Sequence, residues 1–346
     1  MRKVLMFILI FSLLGQPVYA MEFSAPQAPK AIEEMLPEES STFWKDLLWV
    51  LKSSLETIKP EIAEAASICL KILVVTMLLS LINNFTKQTQ RTLTLIGTLV
   101  IGTLMLQSVN TMAGLGSKTI TELSEYGKLV LPVMSAAMAA QGNITTSTAL
   151  YAGTALFSSV LTSMISKLLI PVLYVYLCIC VAFSATCETI LLRVSHFIKW
   201  ILTWSLKIML YVFTGYMTIT GVISGSADAS AIKATKLAIN GAVPIIGNIL
   251  SDASETILIS AGLMKNSVGT YGLIVFTAIL IGPFIKISIQ YLLLKFTAAV
   301  SEVFVVESIS KLINNFSTGM GFLLAMVGTV CLLLLISVIC FMKGVS

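Results

Sequence analysis

The residues in this chain best placed to do chemistry are five charged groups set in an otherwise apolar stretch. Between Gly215 and Gly262 the chain reads GYMTITGVISGSADASAIKATKLAINGAVPIIGNILSDASETILISAG, and Asp228, Lys233, Lys236, Asp252 and Glu255 interrupt it. Ionisable groups among membrane segments are costly to desolvate and mark pathways or partner contacts. Asp252 and Glu255 lie three apart and share a helix face, which suits one common contact. The plainer reading is ion pairing, with the two lysines as partners, that holds two short interfacial helices together. Gly221, Gly225, Pro244 and Gly247 predict broken or re-entrant helices here. Such backbone survives at membrane depth only when buried in protein or lining a wet cavity. Pro132 and Pro283 are further predicted breaks or kinks, because proline lacks an N–H and frees the carbonyl four residues earlier.

Other chemistries find little to work with. His196 is the only histidine, so a histidine-based metal site or catalytic dyad lacks partners. Gly221 to Gly225 reads GVISG, not G-x-S-x-G, and no H-E-x-x-H occurs. Gly114 to Thr119 reads GLGSKT, but a phosphate-binding loop needs glycine directly before the lysine, and here Ser117 intervenes. The six cysteines, at 69, 178, 180, 187, 331 and 340, fall in or beside apolar runs and read as small packing residues. No catalytic, cofactor-binding or metal-binding residue is predicted, and no cofactor.

The elements that must position the charged stretch are membrane spans. With 57% hydrophobic and 11% charged residues over 346 positions, the chain is an all-α, polytopic helical membrane protein. Its 21 glycines suit close helix packing in lipid. The net charge of +5 is scattered, with no basic tract interleaved with aromatics, so no nucleic-acid surface is predicted. Residues 1–20 have a basic start, an apolar run and the ending Val18-Tyr19-Ala20, the pattern of a cleaved signal peptide. Residues 21–62 form a short acidic extracytoplasmic segment, in which Phe43, Leu47, Leu48, Leu51, Leu55 and Ile58 recur at amphipathic-helix spacing.

Residues 63–346 form the multi-span domain. Spans are predicted at 66–82 and 92–109, with an outer connection at 110–128 and a short crossing or re-entrant segment at 129–140. Two more follow at 149–165 and 168–186, hinged at Lys167 and Pro171. An interfacial helix at 188–207 then leads into a span ending near Thr220, and the last two lie at 271–291 and 320–342. Lys87 and Arg91 sit in the cytoplasm by the positive-inside rule.

Residues 81–85, Leu-Ile-Asn-Asn-Phe, recur identically at 312–316. Val74-Val75, Gly97-Thr98 and Leu104 match Val305-Val306, Gly328-Thr329 and Leu335 at the same offset. These matches predict a repeat, with copies about 73–106 and 304–337. With Lys343 cytoplasmic the copies are inverted, the architecture common in secondary transporters.

With these motifs in place, the chain resembles the stage III sporulation protein AE family of endospore-forming bacteria over nearly its whole length. The most specific part is Gly221-Val222-Ile223-Ser224-Gly225-Ser226-Ala227-Asp228, then Val243-Pro244-Ile245-Ile246-Gly247 and Leu250-Ser251-Asp252-Ala253, with the earlier Leu131-Pro132-Val133. Ser226 and Asn248 stand where that pattern has alanine and glycine. The resemblance implies an integral component of the apparatus in the mother-cell membrane around the engulfed forespore. It implies as partners further membrane subunits, a ring in the intermembrane space and a cytoplasmic ATPase, in an assembly like a secretion channel. No catalytic residue comes with it. The leading functional expectation is a channel or export-gate subunit of that complex. The alternatives are an autonomous secondary transporter and a membrane scaffold.

Overall fold

The computed structural model describes residues 26–29, 43–85, 90–242, 247–304 and 307–343, with the side chains at 43, 55–61, 83–91, 221–266, 304 and 343 outside that description. The signal-like start and residues 21–25 and 30–42 of the acidic segment therefore lie outside the described residues. Among the described residues there are seven α-helices and no strand: α1 Phe43–Phe85, α2 Gln90–Ala140, α3 Ile144–Met164, α4 Ile170–Thr186, α5 Thr189–Ala242, α6 Gly247–Phe304 and α7 Glu307–Lys343. A π-helical turn, Ile165–Leu169, joins α3 to α4. Six helical segments among the described residues are long and apolar enough to cross a membrane. The chain is a polytopic helical membrane protein.

Several predicted interruptions are continuous helix. Residues 110–128 are not an outer connection but the middle of the 51-residue α2. The reason is a buried stripe, Ile101, Met105, Val109, Ala113, Ile120, Leu123, Val130 and Met134, at steps of mostly three and four. The polar residues that suggested a loop occupy other faces, where Lys118 pairs with Glu122 at 3.7 Å. The helix runs on through Pro132, and α6 runs on through Pro283. Gly215, Gly221 and Gly225 lie within the unbroken α5, and Gly247 opens α6, while Pro244 is outside the described residues. The predicted boundary at residue 62 falls inside α1.

The segments at 149–165 and 168–186 are one rod, not two spans. Pro171 cannot bond back to Lys167, and its ring would crowd that carbonyl in a regular helix. A π turn inserts one residue and opens the ladder at that point. True reversal occurs after α2, where Gly142 takes φ 89°. There Gly142 N–H donates to Ala139 O at 2.9 Å and Asn143 N–H to Met138 O at 3.3 Å. This is the glycine-terminated Schellman arrangement, which caps two carbonyls that would otherwise be orphaned.

Packing contacts fix the direction of each helix. A methyl built on Gly116 would lie 3.3 Å from Val327 Cγ2 and 3.8 Å from Ile287 Cδ1, so α6 and α7 both meet α2 there. Gly97 meets Ile309 and Gly127 meets Leu334, so α2 and α7 run in the same direction. Val130 packs on Gly272 and Tyr126 meets Phe276 edge-on at 5.2 Å, so α6 runs against α2. Helix α7 is the spine: 61% of its apolar window is buried, against 17% for α1 and α5.

The predicted inverted repeat does not survive this geometry. In one copy Leu-Ile-Asn-Asn-Phe ends α1; in the other it lies inside α7. Helix α1 ends at Phe85 and α2 begins at Gln90, whereas the corresponding residues of the second copy lie within unbroken α7. The spans that follow each copy run parallel, so inversion fails as well. Five shared residues in apolar surroundings impose no common structure.

Gly153 lies against the Tyr216 ring, whose Cζ would be 2.7 Å from an added methyl, and Tyr216 O–H donates to Ala149 O at 2.9 Å. Gly153→Ala is expected to displace that ring and cost about 1–3 kcal/mol. Gly114 has nothing within 4 Å of an added methyl, so Gly114→Ala is expected to be neutral or to stabilise by up to about 1 kcal/mol. Thermal unfolding of both variants in detergent checks the contrast.

Candidate functional site

The described residues contain a polar recess where α1, α2 and α6 meet, with a volume of about 380 Å³. Each helix contributes by simple spacing. Glu64, Ser67 and Lys71 stand at i, i+3 and i+7 on one face of α1. Gln107, Ser108 and Thr111 follow one another on α2, and Lys286 and Gln290 are four apart on α6. Every one of these positions belongs to a segment long and apolar enough to cross a membrane.

The recess is graded from exposed to buried. Glu64, Lys71, Gln107 and Thr111 are exposed and Lys286 is half-buried, whereas Ser108 and Gln290 are 5% and 1% exposed. No protein group among the described residues bonds Ser108 Oγ or Gln290 Nε2. Thr111 is already engaged, its hydroxyl donating to Gln107 O at 3.2 Å. A desolvated amide donor without a partner is costly, so a recess that keeps one is suited to a polar ligand group. Two lysines, two glutamines and the hydroxyl residues Ser67, Ser108 and Thr111 line it, with the single carboxylate of Glu64 at the exposed side.

The charged residues singled out by sequence lie elsewhere. Asp228, Lys233 and Lys236 are on the helical backbone of α5, and Asp252 and Glu255 on that of α6. Their side chains are outside the described residues, so no contact among them is drawn. Helix α5 has 54 residues and α6 has 58, so at 1.5 Å per residue they are roughly 80 and 87 Å long, against a hydrocarbon core of about 30 Å. His196 is exposed. Among the described residues no three His, Cys, Asp or Glu side chains gather where they could hold a metal ion. Cys69, Cys180 and Cys331 are buried free thiols that fill the core, while Cys178 and Cys187 are exposed.

In the sequence Lys71 and Lys286 stand out only as charges inside apolar runs, and Gln107 and Gln290 carry no charge at all. The available signal was the helical spacing of a few polar residues within each span, at 64, 67 and 71, at 107 and 111, and at 286 and 290. What it lacked was the register between helices.

Among the described residues, a strand-free bundle of six membrane-length segments, with a polar recess between three of them, defines a polytopic helical membrane protein. The chain matches the Stage III sporulation protein AE (spore_III_AE) family over residues 28–344, and it belongs to that family. Its role therefore lies in sporulation. It is similar to the Stage III sporulation protein AE of Bacillus subtilis (strain 168), with 19% identity over 204 residues, 59% of this chain and 51% of that protein. The chain thus spans about half the length of the curated relative it matches. No solved structure matches it.

Gln290→Met is expected to leave the melting temperature unchanged or raise it, because it removes a desolvated amide that costs about 1–3 kcal/mol. Calorimetry or intrinsic-fluorescence unfolding in detergent checks this. A fall of several degrees would show that the amide is satisfied in the protein.

Proposed function

We propose that this chain is a non-catalytic channel or export-gate subunit of the secretion-like apparatus linking mother cell and forespore during endospore formation. On this reading it sits in the mother-cell membrane facing the forespore, with the residues after its signal peptide outside the cytoplasm. Its partners are the other membrane subunits, the ring components and the ATPase of that apparatus.

The observation that carries this reading is the filled core. From Ile101 to Met134 the inner stripe of α2 is closed, and Leu312, Phe316, Met320, Leu323, Val327, Val330, Leu334 and Val338 close the matching face of α7. A path along the axis of one chain has no room there, so the conduit runs between this chain and neighbouring subunits. An autonomous carrier of the inverted-repeat kind needs discontinuous helices meeting near the midplane. The parallel, unbroken α2 and α7 take that support away. The long α5 and α6 carry Asp228, Lys233, Lys236, Asp252 and Glu255 along helices that outrun a bilayer's thickness, which suits contacts to partner subunits.

Reconstituted alone in vesicles, the chain is expected to retain trapped calcein; release by the isolated chain would overturn the shared-path reading. In an endospore-forming host without its own copy, Asp252→Lys combined with Glu255→Lys is expected to cut heat-resistant spores at least about tenfold, with membrane levels unchanged. Unaltered spore counts would remove these residues from the partner contact. Single cysteines at Asp228, Asp252 and Glu255, probed from each side with an impermeant thiol reagent, separate conduit from scaffold. Strong labelling marks a wet path, and protection from both sides marks packing.

A further inference from the structure

Lys71 lies too deep in its span to reach water along its own stem. The membrane-length segment of α1 is Ile62–Ile82, 21 residues long, which matches a hydrocarbon core about 30 Å thick. Lys71 is near its middle, about 14 Å from the nearer end, farther than a four-carbon stem extends. The side chain is exposed and, among the described residues, forms no ion pair or hydrogen bond. Glu64, on the same face, is about two turns and 10 Å away along the axis. Charges at such depth are costly alone and pair with one another. The surface beside Lys71 is shaped for a helix. An open groove borders the recess, and its α1 wall runs from Ala63 to Val75 at positions i, i+3, i+4, i+7, i+8, i+11 and i+12, with Leu104 of α2 opposite. That spacing is the seam a helix offers to a packed neighbour. It opens with Ala63, Ala66 and Ser67, small residues that let a second backbone come close, while Leu70 and Val74 are exposed.

We propose that this groove seats a membrane-spanning helix of another protein, and that an Asp or Glu near the middle of that helix enters the recess and pairs with Lys71. The groups around the recess call for an acceptor. Lys286, which has contacts of its own, adds a second positive charge, and Ser108 Oγ and Gln290 Nε2 are desolvated with no partner among the described groups. A carboxylate accepts from several donors at once. Depth decides what carries it. Lys286 is near the middle of Ser267–Val303 as Lys71 is of Ile62–Ile82. A lipid head or a soluble anion would have to leave the interface for the hydrocarbon interior to reach them, whereas a spanning helix brings its side chain there when it inserts. A second copy of this chain does not supply the group, because copies inserted in one direction place equal residues at equal depth. Contacts of Gly102 with Val181 and of Gly319 with Leu177, and the Tyr174–Asn110 bond, put residues 100–112, 170–184, 284–292 and 313–324 at the level of the recess. None of these segments contains Asp or Glu. The inference deepens the reading above, in which the partners are other membrane subunits.

The test places the photocrosslinker p-benzoylphenylalanine at Leu70 or Val74 of the full chain, in an endospore-forming host without its own copy. Cells are illuminated during sporulation and the adducts are mapped by mass spectrometry. The expected adduct joins α1 to the membrane span of a different protein, at a residue within one turn of an Asp or Glu. Its yield is expected to fall at least about fivefold in Lys71→Asp and in Lys71→Met, and to persist in Lys71→Arg. Changing the partner's acid to Lys is expected to restore the adduct of Lys71→Asp. Lys71→Met removes a charge that bonds nothing within the chain, so its melting temperature in detergent is expected to hold or rise, and it reports even where Lys71→Asp does not insert. A fall of several degrees in Lys71→Met would mean that Lys71 is paired internally and overturn the proposal. Adducts to lipid alone, to a second copy, or to a span with no acid near the site would overturn it too. So would an undiminished adduct in Lys71→Met, which would mean apolar packing alone. Adduct yield is read apart from spore counts and calcein retention, so this contact can fail with the export-gate reading intact, or stand after that reading falls.

Discussion

The structure depends on one constraint: a peptide group in hydrocarbon has no water to bond, so it must find its partner within its own segment. An orphaned group there costs several kcal/mol. The chain answers with helices that do not stop for glycine or proline. Where it does turn, the turn is closed by its own bonds. After α2, the Gly142 turn recovers the carbonyls of Met138 and Ala139. After α4, Cys187 adopts a left-handed conformation at φ 59°, and its N–H reaches Phe183 O at 2.7 Å. With the backbone so uniform, specificity passes to side chains. Small residues such as Gly97, Gly116 and Gly127 let α7 settle against α2, and the buried Thr154–Ser337 hydroxyl pair at 3.0 Å ties α3 to the same spine.

The class of fold was legible in composition and run length, because long apolar runs with few charges admit little besides helices in lipid. Helix continuity was not. Lys118, Glu122, Glu125 and Lys128 read as a loop when counted along the chain, yet Ala113, Ile120 and Leu123 carry the buried stripe straight through them. Charge content decided that reading, where period should have. The duplicated Leu-Ile-Asn-Asn-Phe misled for a different reason. In apolar sequence a short identity is cheap, and the same five residues close one helix and continue another.

The recess was legible only in fragments. Lys71 and Lys286 are visible as charges inside spans, but their meeting depends on α1, α2 and α6 facing one another in a particular register. Nothing local encodes that register; it arises from contacts such as Val130 on Gly272 and Val327 on Gly116. Gln107 and Gln290 carry no charge and so attracted no notice, although the burial of Gln290 is the more telling observation. The motif-rich stretch around Asp228 and Asp252 shows the converse. It carries the family resemblance most strongly, and its helices are plain.

The π turn at Ile165–Leu169 has a further consequence, which is rotational. One inserted residue turns everything after it by about 100° about the helix axis. As built, that phase brings Leu173, Tyr176, Leu177 and Cys180 to the inside of α4, where Tyr176 meets Phe322 edge-on, and leaves Val175 facing outward. Deleting one residue from the turn would swing the rest of α4 by that angle, carrying Tyr176 away from α7. The single extra residue thus acts as the timing mark of the bundle, setting which stripe of α4 faces protein and which faces lipid.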